Sequence, residues 1–141
     1  IGKRCKGISA AEFAPYVLGY TCLNDVTARD LQKADVQFTR GKSFDTFCPL
    51  GPLLETELNL AAATVETYVN GERRQHAPVT DMIFSIGVII SWISRVMTLE
   101  PGDVIATGTP AGVSPMKPGD VVEVVVSGIG TLRNVVVAAE G

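Results

Sequence analysis

The 141 residues predict a mainly β domain of the α+β class with one substantial helix. Three observations carry this expectation. Fourteen glycines and eight prolines punctuate the chain into short segments, as turns between strands require. Asn70-Gly71 stands between two runs of β-formers, a strong hairpin signal. Only one stretch, from Asp81 to about Met97, repeats apolar residues at helical spacing over several turns.

The elements follow in order. Ser9-Ala10-Ala11-Glu12 matches a capping box, and Pro15 keeps the helix after it short. Val17 to Leu23 reads as a strand, and Thr27 to Ala34 as a helix. Gly41, Pro49, Gly51 and Pro52 mark residues 40–52 as a loop. Glu55 and Glu57 read as solvated loop residues. Thr64–Val69 and Glu72–His76 form the hairpin. Thr80 is the expected N-cap of the long buried helix, whose apolar face comprises Met82, Ile83, Ile86, Ile90, Ile93, Val96 and Met97. Pro101-Gly102-Asp103-Val104 and Pro118-Gly119-Asp120-Val121 are near copies, each expected to make a type II turn and launch a strand. Residues 121–127 and 131–138 should pair across Gly128-Ile129-Gly130.

Composition excludes several function classes. The chain is 46% hydrophobic and 19% charged, unlike a disordered segment. Its net charge is −3, it has no basic run, and aromatics are 6%, so neither nucleic acid nor an anionic membrane finds a footing. The longest apolar stretch is interrupted by Ser85, Gly87, Ser91, Ser94 and Arg95, too soon for a membrane span. Cys5, Cys22 and Cys48 form no metal or disulfide pattern and read as free, mostly buried thiols of a cytoplasmic protein.

Three polar clusters carry chemistry. In Asn24-Asp25-Val26-Thr27-Ala28-Arg29-Asp30-Leu31-Gln32, Asp25 suits Mg²⁺ or Mn²⁺ as a hard oxygen donor, or it caps the helix. Arg29 and Gln32 share a helix face and suit a carboxylate and a ketone, although Arg29 equally suits an ion pair with Asp30. In Gly41-Lys42-Ser43-Phe44-Asp45, Lys42 stabilises an enolate or is a solvated loop lysine. Val36 replaces the upstream glycine that a phosphate-binding P-loop requires. Thr107-Gly108-Thr109-Pro110-Ala111-Gly112-Val113 offers hydroxyls and amides to an anion, or is a tight turn after a strand. His76, the only histidine, reads as a surface or structural residue.

Taken in order, Gly19 to Gln32, Gly41 to Asp45, Met82 to Ser85 and Gly102 to Val113 closely resemble the fumarylacetoacetate hydrolase family over nearly the whole chain. The resemblance implies a mixed β-sandwich roll, a Mg²⁺- or Mn²⁺-dependent enzyme, and a homodimer. It implies 2-oxo or 2,4-dioxo acid substrates undergoing C–C hydrolysis, decarboxylation or isomerisation. By the same resemblance Asp25 is the metal ligand, Arg29 and Gln32 contact substrate, Lys42 is catalytic and substrate-binding, and Thr109 holds the substrate carboxylate. The family's Glu-x-Glu ligands and its water-activating His and Glu would precede Ile1. The expectation is therefore a single catalytic domain over residues 1–141 that lacks the family's N-terminal part, with Asp25 too few for an octahedral site.

Overall fold

The computed structural model describes residues 1–138. Six strands and two α-helices follow one another as β1 (Tyr20–Leu23), α1 (Arg29–Ala34), β2 (Leu50–Glu55), β3 (Thr64–Val69), β4 (Glu72–Pro78), α2 (Ile86–Val96), β5 (Val121–Val126) and β6 (Gly130–Val135). All pairing between these strands is antiparallel. One sheet has the order β4-β3-β5-β6, and the other pairs β1 with β2.

The larger sheet rests on a simple alternation. Val122, Val124 and Val126 of β5 are buried, and the residues between them are less so. Val65 and Val69 stand opposite Val126 and Val122, so their side chains share that face. Cys22 of β1 packs there with Val124, Val126, Ile129 and Leu132, which seats the small sheet against β5 and β6. Strand β1 begins at Tyr20, later than the expected Val17. Residues 50–55, expected partly as loop, form β2, and Glu55 is its last residue.

The turns obey their local chemistry. Asn70 and Gly71 take φ values of +52° and +79°, the positive pair of a type I′ hairpin. The two Pro-Gly-Asp turns are built alike. Gly102 and Gly119 have φ near +95° and +93°, and Asp103 and Asp120 each close the turn through a backbone bond of 3.0 Å. Each aspartate also accepts from the backbone N–H three residues earlier, Glu100 at 2.8 Å and Lys117 at 2.9 Å. Only the second turn launches a strand. Residues 103–110 belong to neither sheet. Strand β6 ends at Val135, short of the expected Ala138.

The long helix also differs from expectation. Residues 79–81 make a 3₁₀ turn, and α2 starts at Ile86 with Ser85 as its N-cap in place of Thr80. The Ser85 hydroxyl accepts from the Val88 N–H. The helix is not wrapped in apolar contacts. Gly87, Ile90, Ser91 and Ser94 are buried, whereas Val88, Trp92 and Val96 are exposed. Small residues face the N-terminal segment because that segment comes very close. A Cβ on Gly87 would lie 2.4 Å from the Ala10 carbonyl. Ser91 donates to the Ile8 carbonyl at 2.9 Å, and Ser94 accepts from the Ile8 N–H at 3.2 Å. Cys5, Ile90 and Leu99 form the apolar centre beneath.

The capping box at Ser9 and Glu12 forms, but on a single 3₁₀ turn, Ala10–Glu12, with a second one at Ala14–Tyr16. Cys5 and Cys22 are buried and Cys48 is exposed; all three are free. Among the described residues, no helix is long and apolar enough to cross a membrane.

Candidate active site

Strand β1 delivers the chain to Asn24, whose N–H donates to the Pro49 carbonyl at 3.1 Å. The chain then turns tightly. Val26 N–H donates to Asn24 at 2.9 Å, and the Thr27 hydroxyl donates to the Asp25 carbonyl at 3.0 Å. Neither Asp25 nor Thr27 caps α1. Ala28 occupies the N-cap with no side-chain bond, and this leaves the Asp25 carboxylate available.

That carboxylate meets the Lys42 ammonium through Oδ2. Lys42 sits on the 3₁₀ turn Arg40–Lys42, and three contacts place it. Its own N–H donates to the Thr39 carbonyl at 3.1 Å. Ala28 N–H donates to the Gly41 carbonyl at 2.8 Å. Arg40 grips Asp35, at the end of α1, through two bonds of 2.8 and 2.7 Å. The Arg40 guanidinium holds the Asp35 carboxyl below its ordinary pKa range. Lys42 is therefore a half-buried, placed lysine and not a freely solvated one.

Arg29 and Gln32 lie one turn apart on α1 and touch, with the Arg29 guanidinium donating to Gln32 Oε1. No ion pair with Asp30 forms. With Oε1 engaged, Gln32 keeps the two donors of its NH₂ group, and Arg29 retains further donors. Asp25, Lys42, Arg29 and Gln32 are thus brought onto two linked segments. Thr109 is not in contact with them. It lies with Thr107 along an open cleft of about 810 Å³, whose walls include Tyr20, Leu54 and Ile83. Asp25 follows two residues after Leu23, which also lines the cleft.

Sequence reasoning missed Gln75. This buried residue of β4 donates through Nε2 to Thr109 Oγ1 and to the Pro110 carbonyl, both at 2.7 Å. A glutamine on the valine-bearing face of the sheet, opposite Thr67, was the available signal. His76 lies at the opposite face of the same strand. Its Nδ1 is 3.3 Å from Glu66 Oε1. The Tyr68 hydroxyl also donates to Glu66, and it is the main cause of the lowered Glu66 pKa. His76 is thus joined to the Glu66–Tyr68 pair on that face.

The implied metal can be tested against these residues. Among those described, no group of three or more His, Cys, Asp or Glu side chains comes together to hold an ion. Mg²⁺ demands near-octahedral oxygen coordination. Asp25 is one carboxylate with one oxygen already on Lys42, so this set does not by itself fit such an ion.

The model of the C-terminal part of fumarylacetoacetate (FAA) hydrolase matches residues 1–137, and the chain belongs to that family. An uncharacterized protein of Methanocaldococcus jannaschii is 52% identical over 136 residues, 96% of this chain and 57% of that protein. The oxaloacetate tautomerase YisK of Bacillus subtilis is 47% identical over 144 residues, 95% of this chain and 48% of that protein. The crystal structure of 5-carboxymethyl-2-hydroxymuconate delta-isomerase from Mycobacterium smegmatis superimposes at a TM-score of 0.97 with 50% identity, covering 100% of this chain and 56% of that one. The chain spans about half the length of the curated relatives it matches.

Proposed function

We propose that this chain carries the 2-oxo-acid-binding part of an enzyme that cleaves or decarboxylates acylpyruvate or oxaloacetate-like acids through an enolate. The contact between Lys42 and Asp25 carries this reading: it holds in place an ammonium group, the kind of group that stabilises a developing enolate. Arg29 binds a carboxylate through its remaining donors, and the Gln32 NH₂ group donates to the 2-oxo oxygen. Thr109 holds the carboxylate in register. When the bond from C3 breaks, its electron pair passes to C3 and is delocalised onto the 2-oxo oxygen. Carbon dioxide leaves in decarboxylation, and an acyl group is taken up by water in hydrolysis. Lys42 stabilises the resulting oxyanion. Asp25 contributes one carboxylate to a Mg²⁺ or Mn²⁺ site; the further donors are not grouped among the described residues.

A second reading, isomerisation of 2-hydroxy-dienoate acids, draws support from the names of two relatives, a tautomerase and a delta-isomerase. Both readings use an enolate, and product analysis separates them. Cleavage yields pyruvate, whereas isomerisation conserves mass. Lys42→Ala should lower turnover of oxaloacetate or an acylpyruvate, with Mg²⁺ present, by about 10²–10³ while circular dichroism stays unchanged. An unchanged rate in a folded variant overturns the role assigned to Lys42.

A further inference from the structure

The contact between Gln75 and Thr109 says where the Thr109 proton goes. Gln75 Nε2 lies 2.7 Å from both Thr109 Oγ1 and the Pro110 carbonyl oxygen. A carbonyl oxygen only accepts, so the group facing it is the amide NH₂, and the orientation of the amide follows from chemistry alone. An NH₂ group only donates, so Thr109 Oγ1 accepts from it. The single proton of Thr109 is then directed elsewhere. Thr109 lines the open cleft, whereas Gln75 does not.

The backbone keeps this geometry in place. Gly112 has φ of +107°, and a Cβ there would lie 2.0 Å from the Arg74 carbonyl, next to Gln75. Residues 109–112 are therefore laid directly on β4. Gln75 is 9% exposed, so water competes little for its two donor hydrogens.

We propose that Gln75 is a positioning residue for Thr109. By donating to Oγ1 it leaves the Thr109 hydroxyl as a pre-aimed donor toward the cleft, for the carboxylate of a 2-oxo acid. The proposal rests on the reading of Thr109 as the carboxylate-holding residue. The aim matters because a hydroxyl free to rotate must be ordered when substrate binds, and a hydroxyl that donates to the protein offers the carboxylate only its lone pairs.

A double-mutant cycle on the full chain tests it, with pyruvate as the probe and ¹H–¹⁵N NMR reporting affinity and fold together. Thr109→Val should weaken pyruvate about tenfold, the worth of one hydrogen bond to a charged group. Gln75→Met should weaken it by a similar factor, and adding Gln75→Met to Thr109→Val should cost nothing further. Gln75→Glu nearly preserves shape, but its carboxylate captures the Thr109 proton. Affinity should fall at pH 7 and recover as acid protonates that carboxyl while the spectrum away from residues 75 and 109–112 stays that of the wild type, a combination that a purely structural role would not produce. Should Gln75→Met fail to fold, the pH profile of Gln75→Glu decides. If pyruvate does not bind, or binds Thr109→Val as it binds the wild type, the carboxylate-holding reading fails and the proposal with it. If Thr109→Val weakens binding but Gln75→Met does not, or if the two effects add, the proposal is overturned and the reading of Thr109 stands.

Discussion

The backbone N–H of Ala28 donates to the carbonyl of Gly41 at 2.8 Å, which joins the helix of Arg29 and Gln32 to the turn of Lys42. The junction is tight for any side chain at Gly41. Gly41 is buried, and a Cβ on it would lie 3.2 Å from the Ala28 carbonyl oxygen and 3.2 Å from the Gln32 nitrogen. Both are backbone atoms and cannot swing aside.

Gly41→Val should therefore cost about 1–3 kcal/mol of stability, as overpacking does. It should also separate Lys42 from Arg29 and Gln32. Thermal unfolding reads the first effect, and pyruvate affinity reads the second. Wild-type values in both would show that this contact does not organise the site.

Metal binding should be weak and centred on one residue. A single carboxylate offers too few oxygens for a tight site. In an NMR titration, millimolar Mn²⁺ should broaden the signals around Asp25, and Asp25→Ala should abolish this broadening. Tight binding that survives Asp25→Ala would remove Asp25 from the metal site.

Acid should loosen the larger sheet through Asp120. Its carboxylate accepts from Asn70 Nδ2 and the Lys117 N–H, both at 2.9 Å, while Asn70 Oδ1 accepts from the Val121 N–H at 2.9 Å. The Asn70 bond is the main cause that lowers the Asp120 pKa below its ordinary value, with the Lys117 N–H next. A carboxyl lowered in the folded state binds its proton more readily when unfolded. Its stabilisation is complete above the unfolded value of about 3.9 and is lost as pH falls through the folded value. Asp120→Asn should reduce the acid-side fall in melting temperature between about pH 5 and pH 2. Curves of equal slope for the two proteins would assign the acid sensitivity to other carboxylates.

Much of the fold was legible in the residues. Asn70-Gly71 and the two Pro-Gly-Asp turns act through φ preferences and bonds three residues apart, which neighbouring residues settle among themselves. The helix was read less well. Met82 and Ile83 continue its apolar spacing, yet they lie outside α2, because the 3₁₀ turn at residues 79–81 and the Ser85 cap delay its start. Its packed face is Gly87, Ser91 and Ser94 as much as Ile90, since a close backbone neighbour demanded small side chains that hydropathy does not score.

For the candidate site, the sequence by itself determined which residues were chemically fit: an aspartate, an arginine with a glutamine one helical turn on, a lysine, and a threonine in a glycine-rich loop. Spacing within a helix was enough to bring Arg29 against Gln32. Only the tertiary structure decided that Lys42 reaches Asp25 across 17 positions, and that Gln75 reaches Thr109 across 34. Those meetings depend on how separate segments pack against one another, and no local preference of either partner encodes them.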